Sequence, residues 1–222
     1  MARVHVLVEG DSEESFVNTI LKPHFSPKGI YLTTSRVTTK RDNRKGIVYK
    51  GGISNFEKIR SEINLFLSED NERYLTTMFD LFRIPVDFPE YQASIQVQDC
   101  IQQAIVLESG LYNDFNNDRF IPYIQIHEFE ALLFSDAEKI DDCLSILHRV
   151  ANSNLIDVAK QFPTPEHINN NPLTAPSKRI LAIHPSYEKI TDGILIAEDV
   201  GLNVMRRECT HFNDWISKLE SL

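Results

Sequence analysis

Short apolar stretches at residues 4–8, 74–79 and 119–126 each run up to an acidic residue, Glu9, Asp80 and, one residue further on, Glu128. Between them apolar side chains recur at helical spacing: Phe16, Val17, Ile20 and Leu21; then Phe56, Ile59, Ile63, Phe66 and Leu67; then Val97, Ile101, Ala104 and Ile105. Residues 31–39, rich in Thr and Val, read as a further strand. Parallel neighbours need a crossover, and an amphipathic helix both supplies it and covers a face of the sheet. The alternation therefore predicts an α/β fold with a mostly parallel central sheet flanked by helices. In such sheets binding sites form beyond the carboxyl ends of the strands, where these acids stand.

Local signals sharpen the outline. Ser12 is a plausible N-cap for the first helix, with Glu13 and Glu14 in its positively polarised first turn. Ser54-Asn55-Phe56-Glu57 fits a capping box, and Pro85 and Pro89 enforce an extended loop. Beyond about residue 136 the strand signal stops, and helical patterning continues across Pro163, Pro165, Pro172 and Pro176 to a last stripe of Phe212, Trp215, Ile216 and Leu219. Residues 1–135 are thus expected to form the α/β domain and residues 136–222 a C-terminal helical extension packed on it.

Charge and composition exclude several classes. A net charge of −9 argues against a protein that coats nucleic acid by overall attraction. Between Tyr31 and Lys50, however, six basic residues, Arg41, Arg44 and Lys45 among them, face only Asp42, a local charge of +5 able to meet phosphates or to sit solvated on a loop. The three cysteines, Cys100, Cys143 and Cys209, lack the spacing of a disulfide framework or zinc site. No leader-like opening and no run of about 18 apolar residues is present, so a cytoplasmic protein without a membrane span is expected. The chain has no phosphate-binding loop motif and no dinucleotide fingerprint.

If the sheet is parallel, Glu9, Asp80 and Glu128 converge, and clustered carboxylates repel unless cations or protons intervene. All-oxygen donors suit Mg²⁺ or Mn²⁺, which can polarise a phosphoryl oxygen and activate a water. Taken singly, each acid equally well ends a strand or caps a helix. Glu128-Phe129-Glu130 places two acids two residues apart, which on an extended segment point the same way. Gly10 allows close approach of backbone to a phosphate or ion; His127 could orient a water; Lys178 and Arg179, after two prolines, could clamp a phosphate.

The run Val8-Glu9-Gly10-Asp11-Ser12-Glu13 resembles the opening of Toprim domains in the OLD and RloB-like nuclease groups. The closer resemblance is to the Toprim-related family 4276 of the domain-of-unknown-function series, carried by the segment from Thr77 through Asp80 and Arg83 to Pro89, by Ile121 to Phe134, by Thr174-Ala175-Pro176-Ser177-Lys178-Arg179 and by Cys209 to Trp215. It implies a Toprim-like Rossmannoid fold and a metal-dependent nuclease acting on DNA or RNA. Glu9, Glu13, Asp80 and Glu128 would be catalytic and would bind the metal together with Glu130. Asp80-Leu81-Phe82 lacks the second acid of the Toprim D-x-D pair, a place that Glu128 and Glu130 would fill. Families of this resemblance are often encoded beside an AAA-type ATPase in defence-like gene pairs, so the partners implied are nucleic acid, such an ATPase and further copies of the chain. The alternative is a non-catalytic Toprim-like subunit that binds the ATPase or nucleic acid, and a third reading is hydrolysis of a small nucleotide.

Overall fold

The computed structural model describes residues 1–42, 47–50, 55–148, 155–169 and 173–222, with backbone alone for 38–42 and 47–50. The chain divides into two compact units, Met1–Gln125 together with Leu222, and Ile126–Ser221. Among the described residues no helix is long and apolar enough to cross a membrane.

The first unit runs β1 (Ala2–Val8), α1 (Asp11–Phe16), β2 (Ile30–Arg36), β3 (Thr38–Asp42), β4 (Ile47–Lys50), α2 (Phe56–Glu69), β5 (Arg73–Asp80), α3 (Tyr91–Ser94), α4 (Cys100–Phe115), β6 (Phe120–Ile121) and β7 (Ile124–Gln125). α1 continues through a π-helical stretch, Val17–Leu21, into a last turn, Lys22–Phe25. The main sheet has the order β2-β1-β5-β6, β7 also pairing with β5, and every pairing in it is parallel. The expected 31–39 strand is two elements: β2 in this sheet, and β3, which pairs antiparallel with β4 in a separate ribbon.

β1 and β5 are central, and both faces of each are covered. Val4 to Val8 and Leu75 to Asp80 are buried without the alternation of a half-exposed strand. His5 is tolerated because its ring nitrogens lie 2.8 Å from the hydroxyls of Thr33 and Ser35 while its ring stacks on Phe66 at 3.9 Å. Burial, helped by Arg73, holds its pKa down at about 4, so it is neutral at physiological pH. Helix α2 begins at Phe56 with Asn55 as its N-cap; the Phe56 N–H, at 3.0 Å, donates to Asp87 in the proline-bounded loop.

The expected strand over 119–126 is two dipeptides. Pro122 has no N–H and interrupts the ladder, and the Thr77 hydroxyl fills the gap, accepting from the Tyr123 N–H and donating to the Tyr123 carbonyl, both at 2.9 Å. Thr77→Val keeps the shape and removes this acceptor from a buried amide. It is expected to cost about 1–3 kcal/mol, read as a lower urea midpoint, with Thr77→Ser close to wild type; a valine variant as stable as wild type would contradict this account.

The second unit is helical: α5 (Glu130–Leu133), α6 (Ala137–His148), α7 (Leu155–Ala159), α8 (Pro176–Ile183), α9 (Thr191–Val200), α10 (Leu202–Glu208) and α11 (Thr210–Glu220). Leu132, Ile140, Leu144, Ile180, Ile196, Met205, Phe212 and Ile216 form its core. Fully buried Glu166 accepts the N–H groups of His211 and Phe212 at 3.2 and 3.0 Å, so a remote carboxylate caps α11 at its positive end.

Candidate functional site

The β1–β5 register pairs Val8 with Met78, so Glu9, just past β1, and Asp80, the last residue of β5, emerge at one carboxyl edge. Both are buried, as is Glu13 in the first turn of α1. The Glu9 carboxylate accepts the backbone N–H of Asp80. Its Oε1 lies 3.3 Å from a guanidinium nitrogen of Arg83, at the end of a 3₁₀ turn, Leu81–Arg83, while its buried Oε2 has no hydrogen-bond donor among the described residues.

Gly10, not Ser12, is the N-cap of α1. Its N–H donates at 2.9 Å to Glu13 Oε2, and a Cβ there would stand 3.1 Å from the same oxygen, so glycine lets the Glu13 carboxylate fold back over its own helix start. Arg36, at the end of β2, ion-pairs with Asp11 and, at 3.0 Å, with Glu14. The two outer acids of this helical turn thus have a counter-charge from the sheet.

Burial drives the pKa of Glu9 up to about 7; Arg83 and the Asp80 N–H oppose the shift and the nearby Glu13 adds to it. Among the described residues no three His, Cys, Asp or Glu side chains form a ready-made metal cage. Glu9 Oε2 is a buried acceptor without a donor among the described residues, and Mg²⁺ or Mn²⁺, which retains several waters and needs only one or two protein carboxylates, could be held there.

The second unit gathers the other predicted acids by a different route. His127 has a φ of 61°, Phe129 is helical and Glu130 begins α5, so Glu128-Phe129-Glu130 is a turn into a helix rather than an extended segment. Its carboxylates still converge, at 3.1 and 2.9 Å, on the ammonium of Lys189. Glu128 also accepts the Ser177 N–H at 2.7 Å in the first turn of α8, which explains locally why Pro176 and Ser177 precede Lys178. Burial and Glu128 raise the pKa of Glu130, which is 1% exposed, to about 7 against the pull of Lys189. Burial alone would lower the pKa of Lys189, but the two carboxylates outweigh it and raise it.

The remaining predicted residues are dispersed. The buried His127 ring hydrogen-bonds to the backbone of Glu166, and burial holds its pKa at about 4. Lys178 is exposed, while Arg179 donates to the Thr174 carbonyl at 2.8 Å and covers the Phe162 ring at 5.0 Å. Arg44, Lys45 and the side chain of Arg41 lie outside the described residues. Sequence reasoning missed Arg83 and Lys189. A basic residue three positions after a strand-end acid was the available sign of the first, and no local motif marked the second.

The family described as "Domain of unknown function (DUF4276)" matches residues 8–220. No curated protein matches. Similar solved structures include the C-terminal region of the Burkholderia pseudomallei OLD protein, 15% identical over 99% of each chain with a TM-score of 0.48. The C-terminal region of the Xanthomonas campestris pv. campestris OLD protein is also 15% identical, over 97% of this chain and 94% of that one, with a TM-score of 0.37.

Proposed function

We propose, from the premise that this chain belongs to the DUF4276 family, that it is a Mg²⁺- or Mn²⁺-dependent phosphodiesterase that cuts DNA or RNA. The observation carrying this reading is the buried Glu9 Oε2, without a donor among the described residues, at the carboxyl edge that Asp80 shares. The Toprim-like run from Val8 to Glu13 supports it from the sequence side.

Glu9 and Asp80 would hold the ion, which supplies a polarised phosphoryl oxygen and an acidified water. Glu13, its carboxylate fixed by the Gly10 N–H, would orient that water and take its proton. Glu128 and Glu130, paired with Lys189, would brace the second unit internally. Arg41, Arg44, Lys45 and Lys178 would bear on the nucleic-acid backbone, and an AAA-type ATPase acting in trans would supply any nucleotide-driven switch.

Incubation of the purified protein with labelled DNA and RNA in Mn²⁺ should give cleavage that EDTA abolishes. Intact substrates in both metals, with and without the neighbouring ATPase, would sink this reading. One observation favours the alternative of a non-catalytic subunit: Arg83 already gives Glu9 a counter-charge. In that case the protein binds its partner or nucleic acid equally well with Glu9 neutralised and without any divalent ion.

A further inference from the structure

Arg83 occupies an unusual electrostatic position. Its side chain is 60% exposed, yet it ion-pairs at 3.3 Å with Glu9, whose side chain is 4% exposed. With the guanidinium largely in solvent, the pair is weaker than a fully buried one, so this counter-charge can be exchanged. The short 3₁₀ turn that follows Asp80 fixes where the arginine starts, beside the Glu9 carboxylate. A divalent ion on Glu9 Oε2 would satisfy the carboxylate more strongly and repel the guanidinium beside it. A guanidinium displaced at the rim of a phosphodiester site has a natural acceptor, because its planar fork matches two phosphate oxygens.

We propose that Arg83 is an exchangeable counter-ion: it neutralises Glu9 until a divalent cation takes the carboxylate, and then binds a backbone phosphate of the nucleic-acid substrate. This inference rests on the metal-dependent phosphodiesterase reading and names the residue by which that site would hold its substrate.

The test compares wild type with Arg83→Ala and Arg83→Lys. Calorimetric Mn²⁺ titration without nucleic acid should give at least about two- to fivefold tighter binding by Arg83→Ala, the gain from losing a competing ion pair with one partner in solvent. Fluorescence anisotropy with a labelled oligonucleotide in Ca²⁺ should give about tenfold weaker binding, with a salt dependence shallower by about one phosphate contact. Arg83→Lys should keep the salt slope and lose part of the affinity. Unchanged or weaker Mn²⁺ binding by Arg83→Ala, or an unchanged salt slope, overturns the inference alone when wild type binds Mn²⁺ and cleaves. A wild-type protein that binds no Mn²⁺ overturns the site reading and this inference with it.

Discussion

Glu9→Gln is expected to lower Mn²⁺-dependent cleavage by about 10²–10⁴-fold, the several kcal/mol that a held metal ion contributes to the transition state, and yet to stabilise the metal-free protein near pH 8. Both effects have one cause. A glutamate whose pKa goes from 4.5 to about 7 on folding leaves the folded state binding the proton more tightly, so stability falls as pH rises through that interval. With both states ionised, the buried charge costs roughly 3 kcal/mol. Glutamine has the same shape and no such cost. In metal-free buffer its thermal midpoint should therefore exceed that of wild type at about pH 8 and match it at about pH 4, where Glu9 is protonated in both states. Mn²⁺ should raise the midpoint of wild type much more than that of the variant. Full activity in Glu9→Gln, or equal midpoints at every pH, would remove Glu9 from the account.

Lys189→Met should have the largest effect on stability. Glu130 is 1% exposed, and the Lys189 ammonium lies 2.9 Å from it and 3.1 Å from Glu128. Removing one partner of a fully buried ion pair costs about 3–5 kcal/mol; with the Lys189 side chain 39% exposed, about 2–4 kcal/mol is expected. The pH dependence identifies the cause. Without the ammonium the pKa of Glu130 climbs further above its already raised value, so the deficit should be full near pH 8 and shrink toward pH 5 as the carboxyl takes a proton. Adding Glu130→Gln to Lys189→Met should recover part of the loss, a coupling visible in a double-mutant cycle of thermal midpoints. A deficit independent of pH would mean that the lysine acts through its aliphatic stem alone.

The acidic edge of the sheet was legible because parallel strands have a direction. Once residues 4–8 and 74–79 read as strands of one parallel sheet, the acids at their ends had to emerge on one edge, and Glu9 does accept the Asp80 N–H. The third strand was overread because apolar content across 119–126 hid the effect of Pro122, whose missing N–H is answered by Thr77, a residue with no sequence signal linking it to position 123. Glu128 and Glu130 were paired for the wrong reason: two-residue alternation assumed an extended backbone, whereas the left-handed His127 and helical Phe129 bring both carboxylates to Lys189 through a turn. Lys189 and Arg83 were not found because partners of buried acids are fixed by packing, which local periodicity does not encode.

Crystals soaked in Mn²⁺ would decide whether Glu9 holds a divalent ion, through an anomalous difference map. A peak is expected bonded to Glu9 Oε2 at the β1–β5 edge, with Arg83 drawn away from the carboxylate. Glu9 still paired with Arg83 and no peak beside it, at Mn²⁺ concentrations that support cleavage, would contradict the assignment.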